Sequence, residues 1–136
     1  MAVRNYEELG PNLMKIIKRL MANQNLMKYL YYTDKDPLAH DDLSAEDIKK
    51  EIYQKLLKII PRYGPKETSN SMVIVRAFNG TPSGFNKETK DLLIKIEVLV
   101  PYDQWVIKDV NFRPFCIMGE IQKSLSGRKV DGFGEI

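Results

Sequence analysis

Few residues in this chain could do chemistry. One imidazole, His40, stands among Asp34, Asp36, Asp41 and Asp42, and one thiol, Cys116, stands apart from it. Carboxylate oxygens gathered in that way suit a hard cation such as Ca2+ or Mg2+. The spacing nevertheless departs from an EF-hand loop: no glycine follows Asp36 at the required place, and no bidentate Glu arrives in register. The segment reads as a plain acidic loop, and no metal ligand is assigned. Cys116 as a nucleophile needs a base, and the sole histidine belongs to a separate loop. A small buried helix residue explains it better. There is no Ser-centred elbow, no phosphate-cradling glycine loop and no dinucleotide fingerprint. The expectation is a protein with no catalytic residue, no cofactor and no metal.

The elements around these residues organise on residues 91–100, DLLIKIEVLV, which alternate with a period of two. Leu92, Ile94, Ile96, Val98 and Val100 share one face, and Leu93, Lys95, Glu97 and Leu99 the other. That is the pattern of a half-buried strand, about 33 Å long at roughly 3.3 Å per residue. It needs a partner strand and an apolar cover. Residues 71–78, apolar on both faces apart from Arg76, supply a central strand. The Gly- and Pro-bearing stretch 79–86 joins the two as a long antiparallel hairpin.

Upstream, Leu9, Leu13, Ile16, Ile17, Leu20 and Met21 form the stripe of an amphipathic helix over 6–22, with Lys15, Lys18 and Arg19 opposite. Pro11 places its start near Gly10. Asn23-Gln24-Asn25 interrupts the pattern, and a second short helix follows with Tyr29, Tyr31 and Tyr32. Those tyrosines are of the kind that stacks on bases or lines an interface, and helix packing accounts for them equally. After the acidic loop, Ser44 and Asp47 match a capping box. The helix that follows puts Ile48, Ile52, Tyr53, Leu56 and Leu57 inward and stops by Ile60 before Pro61, with residues 57–60 open to an extended reading. Residues 102–107 either continue the organising strand past a bulge at Pro101 or turn back as a third strand. The last helix spans 111–126, with Pro114 in its first turn, an inward stripe of Phe115, Met118, Ile121 and Leu125, and Gly127 at its end. Residues 128–136 read as a terminal strand within which the chain stops, which points to a further C-terminal portion.

The fold class expected is therefore α+β: a mostly antiparallel twisted sheet of 3–4 strands, flanked by N-terminal helices and one C-terminal helix, without a parallel crossover except around the last helix. One domain covers 1–136, divided into an N-terminal helical segment, 6–60, and a sheet-helix-strand unit, 71–136.

Net charge is +3, from 21 Lys and Arg against 18 Asp and Glu. Six of those acids (Asp34, Asp36, Asp41, Asp42, Glu46, Asp47) fall in 34–47 against Lys35 alone, leaving 20 basic and 12 acidic residues elsewhere. Such asymmetry can steer assembly between copies, although a solvated loop beside lysine-bearing helix faces explains it more simply. The basic residues are spread over several elements, which disfavours nucleic-acid binding. No apolar run approaches the ~20 residues of a membrane span. The N-terminus lacks the apolar core of a signal peptide, and one cysteine suits a reducing interior, so synthesis in a cytosol is expected.

Two blocks carry a resemblance. One is 21–38, MANQNLMKYLYYTDKDPL; the other is 98–105, VLVPYDQW, followed by 111–125, NFRPFCIMGEIQKSL. In their joint order the chain resembles the small neck or tail-completion proteins of tailed bacteriophages, especially those of Gram-positive hosts. The element order is similar to the tail-terminator fold. The resemblance implies a structural virion protein, made in the host bacterial cytoplasm and located in the neck or tail. Its copies would form a homo-oligomeric ring, expected to be hexameric, that stops tube growth or joins tail to head. Other neck and tail-tube or sheath proteins would be its partners, and DNA would cross its channel without sequence-specific binding. It would touch no membrane. Candidate subunit contacts are Asp34, Asp36, Asp41 and Asp42 of one copy against Lys49 and Lys50 of the next. Asn79, Thr81, Phe85, Lys87 and Lys90 would form a reaching arm. The alternative from another class is a small nucleic-acid-binding regulatory protein. A hydrolase built on Cys116 stands third.

Overall fold

The computed structural model describes residues 2–3, 6–59, 70–77, 81–82, 90–91, 94–108, 111–126, 129–130 and 134–135; for 2–3, 6, 81–82, 90–91, 129–130 and 134–135 it describes the backbone alone. A short strand β1, Ala2–Val3, leads to a 3-10 turn, Tyr6–Glu8, and helix α1, Leu9–Met21. Pro11 fits in the first turn of α1, where its missing N–H has no partner to lose. The stripe expected from the sequence is the buried one, with Leu13, Ile16, Ile17 and Leu20 all in the core. Helix α2, Gln24–Tyr31, is a separate element, because Asn23 takes an extended conformation and caps it: its Oδ1 accepts from the Leu26 N–H at 3.1 Å.

The third helix is shorter than its apolar pattern predicts. Ser44 caps α3, Ala45–Asp47, by accepting from the Asp47 N–H, and the chain then widens into a π-helical turn, Ile48–Ile52. The Tyr53 N–H reaches five residues back to the Ile48 carbonyl, and Gln54 takes a left-handed φ of 63°. That reversal ends the helix, so Leu56 and Leu57 reach the core from a turn and from strand β2, Leu57–Lys58. The extended reading of this stretch is the one that holds. Because a left-handed L-residue costs about 1–2 kcal/mol, Gln54→Gly is expected to stabilise the protein by roughly 0.5–1 kcal/mol. Urea unfolding measures this, and a fall in midpoint would show that the Gln54 side chain holds the turn.

Strand β2 lies parallel to β3, Met72–Ala77, with Leu57 opposite Val73, which corrects the expectation of a sheet without a parallel crossover outside the last helix. Strands β4, Thr81–Pro82, and β5, Lys90–Asp91, join β1 in a second small antiparallel sheet, ordered β1-β5-β4. The strong alternation of 91–100 becomes strand β6, Ile94–Leu99, antiparallel to β3 with Val75 opposite Ile96 and Val73 opposite Val98. The main sheet thus runs β2-β3-β6. Val73 and Val75 belong to the core beneath the helices, and Ile94, Ile96 and Val98 pack against it half-buried, as an edge strand allows. Met72 and Ile74 alternate to the other face of the central strand and are also buried.

Residues 102–107 neither prolong β6 nor join its sheet. A 3-10 turn, Tyr102–Gln104, leads into β7, Val106–Ile107, which among the described residues pairs with β8, Asn111–Phe112, alone. Helix α4, Arg113–Leu125, follows at once. Its first N–H, that of Arg113, donates to the Trp105 carbonyl at 2.7 Å, and Pro114 at the second position has none to satisfy. The buried face of α4 is Arg113, Pro114, Ile117, Glu120, Ile121, Ser124 and Leu125. Phe115 and Met118 are exposed, which corrects the inward stripe assigned to them. Gly127 lies outside the described residues. Near the end, β9, Lys129–Val130, pairs antiparallel with β10, Gly134–Glu135.

Candidate functional site

Three of the buried polar side chains, Arg113, Gln104 and Ser71, meet where α2 ends and α4 begins. Arg113 is wholly enclosed. Its Nε donates to the Gln104 carbonyl at 2.9 Å, Nη1 to the carbonyls of Tyr29 at 2.6 Å and Tyr32 at 2.9 Å, and Nη2 to the Asp34 carbonyl at 2.7 Å. Helix α2 leaves its last carbonyls without partners, and one guanidinium supplies donors to two of them while placing a cation at the negative end of the helix dipole. Burial pulls this guanidinium below its usual range, and the nearby Asp34 charge acts in the opposite direction. Gln104, also buried, accepts from the Ser71 hydroxyl at 2.9 Å, which ties the junction to the start of β3.

A second polar tie holds the α1–α2 corner to the far end of α4. Asn23 Nδ2 lies 3.2 Å from the Glu120 carbonyl, 3.0 Å from Glu120 Oε2 and 2.9 Å from Ser124 Oγ. The Gln24 side chain pairs with the Leu43 backbone in both directions, at 2.8 and 3.0 Å.

The acidic residues singled out by the sequence are dispersed by the fold. Asp34 holds His40 Nε2 at 2.9 Å, and this hydrogen bond keeps the Asp34 carboxyl below its ordinary range. His40 also stacks on Tyr32, ring centres 3.9 Å apart. Asp36 pairs with Lys108 at 3.3 Å and Asp42 with Lys28 at 2.8 Å, while Asp41 is exposed and its carbonyl faces the Tyr32 hydroxyl. Among the described residues no three His, Cys, Asp or Glu side chains converge as metal ligands. Lys49 and Lys50 are exposed on the π-helical turn. Thr81 and Lys90 are placed by their backbone in the small second sheet, and Asn79, Phe85 and Lys87 lie outside the described residues.

Cys116 is half-buried, with the Tyr29 phenol as its neighbour. Burial first, and then Cys116, push that phenol up to about 12. Below about pH 10 folded and unfolded tyrosine are both protonated, so stability does not respond. From there to about 12 the unfolded phenol loses its proton while the folded one keeps it, so stability falls as pH rises. An absorbance titration of the phenolates is expected to show a last step near the top of that window. Tyr29→Phe should remove the step; its persistence would assign it to another tyrosine.

Side chains spent on joining elements, with His40 and Cys116 committed to different partners, characterise this small α+β fold. No helix among the described residues is long and apolar enough to cross a membrane. The chain belongs to the YomW family, whose model matches residues 23–136. That family name is associated with Bacillus phages, and the protein is phage-related. Neither a curated protein nor a solved structure matches the chain. The matched stretch opens at Asn23, the cap of α2, and contains Arg113 with all four of its carbonyl partners.

Proposed function

We propose that this protein is a non-catalytic structural component of a tailed-phage virion, assembling as a ring, sixfold in the simplest case, in the neck. There it terminates the tail tube or joins tail to head, in contact with other neck and tail proteins, around a channel that DNA crosses without being read. One observation carries the reading. The two sequence blocks that resemble neck and tail-completion proteins, far apart in the chain, are bonded to each other by Arg113 and Asn23, so that they form one structural unit. Family membership supplies the phage context. Closed rings need two different surfaces per copy that meet head to tail.

The test is to delete the coding sequence from its phage and image the particles by electron microscopy. Unattached heads with free tails, or tails of uncontrolled length, are expected. Normal virions would overturn the reading. Salt-dependent DNA binding by the free monomer would favour the regulatory alternative.

A further inference from the structure

The surface carries a ridge and a groove that suit each other. The ridge begins on β7 and β8, where Val106 and Phe112 are cross-strand partners. Phe115 meets Phe112 edge to face, ring centres 6.0 Å apart, and Met118 follows three residues along α4. All four are exposed, Phe115 to 58% and Val106 to 52%. Grouped aromatic and Met side chains left in water on a small protein are the composition of an interface centre.

The groove lies elsewhere, between α1 and the α3 turn. Met14, Met21, Ile48 and Tyr53 line its floor, Ala45 its end, and Lys18 and Lys49 its edge, around about 530 Å3. That volume is within the range of sites that take up a drug-sized apolar group, about 300–1,000 Å3. Neither Lys18 nor Lys49 has an ion-pair partner among the described residues.

Charge selects the occupant. Asp103 is exposed in the turn leading into β7. The acidic loop is fastened beside the β7–β8 hairpin, since the Lys108 N–H donates to the Lys35 carbonyl at 2.7 Å and Lys108 Nζ pairs with Asp36. Lys108 offsets Asp36, so the acidic fringe of the ridge is Asp103 with the remainder of the 34–47 segment, which as a whole sets six acids against Lys35. The aromatic ridge with this fringe complements a lysine-edged groove floored by thioethers, which make favourable contacts with aromatic rings. The two surfaces share no residue. A ridge seated in the next copy's groove leaves that copy's own ridge free for a third.

We propose that the groove between α1 and the α3 turn receives the Val106–Phe112–Phe115–Met118 ridge of a second copy of this chain, as the head-to-tail contact of its assembly. This rests on the reading of the protein as a self-assembling component and names the surfaces that do it.

The experiment uses the full chain in a Cys116→Ala background. Ala45→Cys and Met118→Cys proteins, distinguished by a mass tag, are mixed and treated with a short bis-maleimide, while native mass spectrometry follows the oligomers. The mixed 45–118 product is expected to dominate over 45–45 and 118–118 products. Phe115→Asp, at an exposed position, should raise the concentration needed for self-association roughly tenfold or more with circular dichroism unchanged. Lys18→Glu with Lys49→Glu should act in the same direction. Discrete oligomers that form without the 45–118 product and ignore these substitutions would overturn the ridge-in-groove contact while leaving self-assembly intact. A chain that stays monomeric at every concentration would overturn both.

Discussion

Arg113→Met is expected to cost about 3–5 kcal/mol of folding stability, among the largest losses available to one substitution in this molecule. Four backbone carbonyls take their hydrogen bonds from the one guanidinium, and the arginine is fully enclosed. Methionine fills much of the volume but donates nothing, so carbonyls at the end of α2 and in the Tyr102–Gln104 turn would be left in a dry place without partners. Each such loss costs about 1–3 kcal/mol when water cannot replace the donor. Arg113→Lys keeps the charge but concentrates it on one nitrogen, which cannot span acceptors that lie in three directions. It should recover less than half of the loss. Asp34→Asn keeps the carbonyl that Arg113 uses and is expected to change stability by only about 0.5 kcal/mol. Urea unfolding of the three variants decides the matter. An Arg113→Met protein within about 1 kcal/mol of the parent would mean that the junction relaxes and admits water.

This arginine also marks where the sequence stops being legible. Apolar periodicity located α1 to within a few residues, because every position of its stripe meets other apolar side chains. It identified β3 as central, since only a strand covered on both faces carries Met72, Val73, Ile74 and Val75 together. On α4 the same reasoning fails. The inner face of that helix meets the carbonyls ending α2 and the Asn23 amide, so Arg113, Glu120 and Ser124 turn inward and Phe115 and Met118 are left outside. Hydrophobicity reports a buried face only when its neighbours are apolar. Length was misjudged at α3 for a different reason. Leu56 and Leu57 continue a helical apolar pattern although the backbone has already reversed at Gln54, a glutamine in a conformation usually left to glycine.

The acidic segment shows the same limit in electrostatics. Composition gathers Asp34, Asp36, Asp41 and Asp42, but the chain around Pro37 spreads them so that three take different basic partners. His40 stands within the segment, but Lys28 and Lys108 lie outside it, Lys108 seventy-two residues from Asp36, and nothing in the local pattern announces those two. The paired block resemblance did mark stretches that meet, because residues 21–38 and 111–125 are joined by Arg113 and Asn23. It could not say that the joint would be an arginine inside a helix start. A positively charged residue immediately before Pro114, following Phe112, is the only local trace of it.

Asn23 offers the second large effect, and its two roles can be separated. Asn23→Ala removes the cap of α2, worth about 1 kcal/mol. It also removes the amide that faces the Glu120 carboxylate, where loss of a donor to a charged, largely buried acceptor costs about 1.5–3 kcal/mol more. A total near 3 kcal/mol is expected. Asn23→Asp keeps the cap, since aspartate accepts from the Leu26 N–H as well as asparagine does. It replaces the donor by a second carboxylate about 3.0 Å from Glu120 Oε2. Two carboxylates at that distance cannot both stay ionised without strong repulsion. This variant should therefore be at least as unstable as Asn23→Ala at neutral pH, and should recover relative to it as acid supplies a proton for the pair to share. The sign follows from linkage: the folded pair binds a proton that the unfolded chain has already released, so stability rises as pH falls toward the carboxylate range. If the two variants instead keep a constant difference from pH 8 to about 4.5, the Asn23 amide does not depend on the Glu120 carboxylate, and the polar tie to α4 runs through the Glu120 carbonyl and the Ser124 hydroxyl.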